Sequence, residues 1–207
     1  MAFTLLAQGE DWLAIDKPTG LSMHSEEDEA GLVVQASRQF ERPLWPVHRL
    51  DQVTSGILLL ATSAKGAARL GELFAQHKIQ KTYLAQTSFK PKKKQGWVKG
   101  DMEKGRNGSW LLCRTLANPA ITYFTSHFDE HLQKRLFVLT PKTGKTHQLR
   151  VAMKSLGAPI DGDSRYGGLP ADRTYLHAYQ LEWFDELTQQ TLKLTCPPTL
   201  GLWAALL

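Results

Sequence analysis

A chain of 207 residues is long enough to bury a sizeable core and short enough for one compact catalytic unit, the organisation expected over residues 1–207. With 42% hydrophobic and 22% charged residues, the composition excludes a disordered or low-complexity chain, and no apolar run approaches the roughly 20 residues that a membrane helix needs. Lys and Arg number 25 against 20 Asp and Glu, a net charge of +5 that favours attraction to polyanions.

The N-terminus, Met1-Ala2-Phe3-Thr4-Leu5-Leu6, has no basic leader followed by a long apolar core, so a soluble, cytoplasmic protein is expected. Residues 12–16 read as a strand, broken by Lys17-Pro18-Thr19-Gly20 because Pro lacks a backbone donor and Gly admits a turn. The acidic stretch from Glu26 to Glu29 precedes a helix expected over residues 30–40, with carboxylates at the positive end of its dipole. The polar stretch from Pro46 to Gly56 reads as a loop feeding a buried strand that runs through Ala61. Ser63 is placed to cap a helix from Ala64 to about Lys78, with Leu70, Leu73 and Phe74 at helical spacing.

Strands are then expected at residues 81–89, 110–116, 121–128 and 136–139, and their succession implies antiparallel pairing. Between the first two, Lys90, Lys92, Lys93, Lys94 and Lys99 crowd around Pro91, Gly96 and Trp97. That stretch reads equally as a solvated loop and as a phosphate-contacting one. A second helix is expected over residues 146–156, with Leu149, Ala152, Met153 and Leu156 on one face and Gly157 at its stop, followed by strands at 175–184 and 191–194. The fold class is therefore α+β, a mixed, largely antiparallel β-sheet with a few flanking helices. Cys113 and Cys196 are expected to be buried free thiols, and no Cys/His spacing suggests a metal site.

Several residues carry candidate chemistry. Asp51 reads locally as a turn or cap residue, yet a carboxylate with a reference pKa of about 3.9 is ionised at neutral pH and could attack an electrophilic carbon without a separate base. Gly144-Lys145-Thr146 resembles the end of a phosphate-binding P-loop, but that motif needs a Gly where Leu139 stands, which excludes a nucleotide hydrolase. His147 and Arg150, three apart near a helix start, suit an anion; a structural Arg with its stem on the sheet is the equal alternative. Asp161 and Asp163 read as turn-formers rather than a glycosidase pair, and Tyr83 as a half-buried sheet aromatic.

In order along the chain, Trp12-Leu13-Ala14-Ile15-Asp16-Lys17-Pro18-Thr19-Gly20-Leu21, the run from His48 to Ala61, Lys81-Thr82-Tyr83-Leu84-Ala85, the run from Gly144 to Val151, the Gly162-Asp163-Ser164-Arg165-Tyr166-Gly167 loop and Leu176-His177-Ala178 resemble the RluA-type family of RNA pseudouridine synthases. The resemblance implies that Asp51 is the nucleophile and that Tyr83 packs on the target base and takes the proton from C5. It further implies that Arg150 pairs with Asp51, that Arg49 fills the gap left by the flipped uridine, and that Leu176 packs against the base. Uracil would leave C1′, rotate and rejoin through C5, an isomerisation that needs no cofactor and no metal.

Lys145 and Ala152 stand where the family motif commonly has Arg and His, and Gln52 replaces a residue often basic. With the first strand starting about a dozen residues from Met1, the accessory RNA-binding domain of many relatives is expected to be absent. The expected partner is RNA, either tRNA or rRNA, contacted in part by Lys92, Lys93, Lys94, Lys145 and His147, with no protein partner. A non-catalytic RNA-binding protein on the same scaffold is the alternative function.

Overall fold

The computed structural model describes residues 2–23, 25 and 30–199. Along them run β1 (Thr4–Gln8), β2 (Trp12–Lys17), α1 (Leu32–Gln39), β3 (Trp45–Pro46), β4 (Ser55–Ala61), α2 (Ala64–Ala75), β5 (Gln80–Thr87), β6 (Gln95–Gly100), β7 (Met102–Lys104), β8 (Trp110–Leu112), β9 (Ala120–Asp129), β10 (Lys134–Pro141), α3 (Gln148–Ser155), β11 (Leu176–Asp185) and β12 (Gln190–Thr195). The described residues divide into two compact units, those up to 80 with 178–197, and residues 81–177 with 198 and 199.

In the first unit β1, β2, β4 and β11 are successive neighbours, β12 pairs with β11, and β3 pairs with the end of β4. All seven residues of β4 are buried, which is why its sequence is a continuous apolar run rather than an alternating one. Ile57, Leu59 and Ala61 pack with Trp12, Leu70 and Trp183 in the core of this unit. Each fully buried Leu or Ile there stabilises the fold by roughly 1.5–3 kcal/mol. Gly56, at φ +103°, has no alternative: a Cβ there would lie 2.3 Å from the Ala178 carbonyl. The predicted cap of α2 is present, the Ser63 side chain accepting from Gly66 N at 3.0 Å.

The second unit is an antiparallel array in the order β5-β10-β9-β6, accompanied by the separate β7-β8 ribbon and by α3. The expected mixed, largely antiparallel sheet with few helices is what the structure shows.

Several boundaries differ from the sequence reading. Residues 95–100 form β6 rather than a loop, because its ladder with β9 satisfies backbone groups that local composition assigned to solvent. The strand expected over 110–116 stops at Leu112. Beyond it, Asp101 Oδ2 and Oδ1 accept from Ala117 N and Asn118 N, drawing the chain into an irregular turn, and the carboxyl is held below its ordinary range by hydrogen bonding to Thr115 and these amides. Helix α3 begins at Gln148, since His147 takes the left-handed conformation at φ 57°. The acidic stretch assigned to the dipole of α1 lies outside the described residues, and α1 has no acidic residue in its first turn. Cys196 is buried, and burial pushes its thiol up to about 12, but Cys113 is only partly buried, which corrects the expectation for that residue. No helix among the described residues is long and apolar enough to cross a membrane.

Candidate active site

Asp51 lies in the segment between β3 and β4, half-buried, beside exposed Arg49 and buried Leu50. This segment is tied to the end of β2 by a set of hydrogen bonds that the sequence reading did not anticipate. Lys17, wholly buried, donates from Nζ to the carbonyls of Pro18, Gln52 and Thr54 at 3.0, 3.1 and 2.8 Å. The Thr19 hydroxyl donates to the Val53 carbonyl at 2.8 Å, and Gly20 N to the Gln52 carbonyl at 2.8 Å. Inside the loop Thr54 N donates to the Asp51 carbonyl at 2.9 Å. At the upstream end His48 Nε2 accepts from Leu59 N at 2.9 Å while its ring stacks on Phe74 at 4.4 Å. Carbonyls drawn together by a buried ammonium hold the loop in one conformation, so the Asp51 side chain is presented by a fixed backbone.

In the second unit the side chain of Gln148 organises the entry to α3. Its Oε1 accepts from Thr143 Oγ1 at 2.8 Å and Lys145 N at 3.0 Å, and its Nε2 donates to the Ile121 carbonyl and Thr122 Oγ1, both at 3.0 Å. Lys81 Nζ donates to the Thr143 carbonyl at 3.2 Å, and burial pushes its pKa down. Two residues on, buried Arg150 donates from Nε and Nη2 to the two oxygens of Asp163 at 2.7 and 2.8 Å, a bidentate pair with both side chains nearly inaccessible. The guanidinium also lies 5.0 Å over the Tyr166 ring, whose hydroxyl meets His147 Nδ1 at 2.8 Å and accepts from Trp110 N at 3.0 Å. Three side chains thus orient Arg150 or its supporting ring.

The structure therefore brings His147 and Arg150 together through Tyr166, rather than as two groups on the first turn of a helix, since His147 precedes it. Asp163 is a buried ion-pair partner, and Asp161 is buried too, accepting from Ser88 N at 2.9 Å and pairing with Lys134 at 3.1 Å. This corrects the reading of both as plain turn-formers: each carboxylate serves a cation elsewhere in its unit. Tyr83 is 9% exposed on β5, opposite Leu139, and Leu176 is buried at the start of β11. Lys92, Lys93 and Lys94 are exposed, and Lys145 is half-buried at the turn before α3. Arg49 and Asp51 belong to the first unit, while Tyr83, Arg150 and Leu176 belong to the second. Lys17, Gln148, Asp163 and Tyr166 were missed as site-forming residues. The Lys-Pro-x-Gly turn and the Gly-Asp-x-x-Tyr-Gly loop were the available signals. Among the described residues, no group of three His, Cys, Asp or Glu side chains is placed to hold a metal ion.

Residues 11–155 match the family model described as RNA pseudouridylate synthase. An uncharacterized RNA pseudouridine synthase of Haemophilus influenzae is 52% identical over 204 residues, which cover 97% of this chain and 90% of the relative. A tRNA pseudouridine synthase C of Haemophilus ducreyi is 32% identical over 196 residues, covering 84% of this chain and 77% of that protein. Among solved structures, human RNA pseudouridylate synthase domain containing 4 superposes with a TM-score of 0.75 at 27% identity, over 93% of this chain and 87% of that one.

Proposed function

The chain belongs to the RNA pseudouridylate synthase family and is an RNA pseudouridine synthase, and from that premise we propose that Asp51 is the nucleophile with which it isomerises uridine in structured RNA. The supporting observation is the loop itself: a half-buried carboxylate on a backbone pinned by Lys17 and His48 keeps its position without rearranging when substrate arrives.

In this reading the target uridine is extruded from its stack at a cost of a few kcal/mol, offset by phosphate contacts from basic side chains. Arg49 occupies the gap, and Tyr83 and Leu176 pack on the base. Asp51 promotes cleavage of the bond between N1 and C1′, uracil rotates, and a bond forms between C5 and C1′. The C5 proton leaves to Tyr83, and N1 regains a proton. Arg150, oriented by Asp163 and Tyr166, supplies the guanidinium charge in this reading. Every bond broken is matched by one formed, with no change of oxidation state, so no cofactor is called for.

The substrate is proposed to be tRNA or rRNA in the cytoplasm, the tRNA assignment having support from the name of the Haemophilus ducreyi relative. The family match takes in parts of both units, which supports treating them as one catalytic domain.

The test is Asp51→Asn, which keeps shape and removes charge. Incubated with cellular RNA lacking the modification and followed by pseudouridine mapping, the variant is expected to lose at least about 10³ in rate, or ~4 kcal/mol of barrier, while its RNA affinity stays near that of the parent. Retention of more than about a tenth of the activity, under 1.4 kcal/mol, would remove Asp51 from this role. The same maps, compared between cells with and without the gene, name the RNA.

A further inference from the structure

Strand β6 closes the order β5-β10-β9-β6, and its alternation sends Gln95, Trp97 and Lys99 to one face while Val98 and Gly100 are buried on the other. Trp97 is 50% exposed, although an indole is among the costliest side chains to leave in water. Its ring meets that of its cross-strand partner Tyr123 at 5.1 Å and a tilt of 57°, and Lys99 Nζ sits 5.1 Å from its centroid. Immediately upstream, Lys92, Lys93 and Lys94 are exposed, and residues 90–100 hold five lysines and no carboxylate. The backbone that carries these lysines is anchored at both ends. Lys92 N donates to the Leu156 carbonyl at 2.9 Å, and Ser126 Oγ donates to the Lys94 carbonyl at 2.8 Å. The cationic turn is therefore held in place while its charged heads point to solvent.

We propose that Trp97 and Tyr123, with Lys92, Lys93, Lys94 and Lys99, form a stacking platform for an unpaired single-stranded segment of the RNA substrate. The inference rests on the reading of the chain as an enzyme that acts on RNA, and it adds a binding surface carried wholly by the second unit. An exposed indole next to a second aromatic ring offers a π-face to any nucleobase, and lysines around it neutralise the phosphates on either side. A duplex already has its bases stacked and presents only phosphate to such a surface, so the platform selects single strand over double strand. Lys99, resting on the indole, is placed to move aside to a phosphate when a base takes the ring.

The experiment uses the full chain, a short fluorescein-labelled oligouridylate and a labelled RNA duplex of the same length. Trp97→Ala is expected to weaken oligouridylate binding by about tenfold and Trp97→Phe to restore most of it, with duplex binding unchanged in both. The single-turnover rate on saturating substrate RNA should match the parent in both variants, the opposite of Asp51→Asn. Unchanged oligouridylate affinity in Trp97→Ala, or equal loss on duplex and single strand, overturns the platform. Neither result touches the role of Asp51, which stands or falls on turnover alone.

Discussion

Arg150 and Asp163 put two opposite charges where almost no water reaches, with side-chain exposures of 6% and 1%. Such a pair offsets its own desolvation only while both members are present and hydrogen-bonded. Asp163→Asn is therefore expected to cost about 3–5 kcal/mol of stability, read as a lower urea midpoint at unchanged slope, because it removes the buried carboxylate charge that accepts from Nε and Nη2 of Arg150. A loss below about 1 kcal/mol would show that Arg150 is held by its other neighbours instead. The wholly buried Lys17 works by similar physics with carbonyl acceptors. Its partners Gln52 and Thr54 lie 35 and 37 positions away, so no local pattern around Lys17 could reveal them.

Where an element's start, face and stop are all local, the sequence was a sufficient guide. Helix α2 shows it: Ser63 caps it, and Leu70 and Leu73 face the core as their spacing predicts. Losing the bond from Gly66 N to Ser63 Oγ leaves one of the first backbone donors of the helix unsatisfied, so Ser63→Ala is expected to lower stability by about 1 kcal/mol. Chemical denaturation followed by circular dichroism checks this, and a variant as stable as the parent would mean that the Ser63 cap is energetically idle. Helix α3 was less legible at its start. Its first turn is set by Gln148, whose Nε2 bonds reach Ile121 and Thr122, 27 and 26 positions back, and by the left-handed His147. Strand β6 was missed for a related reason, since lysines, Gly96 and Gly100 predict a loop unless the ladder from β9 is in place.

For the molecule as a whole, a net charge of +5 draws in any polyanion, and the open question is which cations meet the RNA. Lys92, Lys93 and Lys94 are exposed and adjacent, so replacing all three by Gln tests them as a group. The expected result is a slope of log K against log salt that flattens by about 0.7 for each single-strand phosphate no longer neutralised, with the rate at saturating RNA preserved. An unchanged slope would return the turn to the solvent.

What the sequence determined alone was periodicity, punctuation and the ordered motifs. From these came the α+β class, the helix α2, most strands and the family, with Asp51 singled out by its place in that order. The tertiary structure decided which groups hold which: Lys17 under the Asp51 loop, Asp163 against Arg150, Tyr166 between His147 and Arg150, and Trp97 left open on an edge. Backbone preferences act over a few residues and are written in neighbouring letters. Hydrogen-bond partners and exposure depend on chain segments tens of residues apart meeting in space, and they exist only once the core has formed.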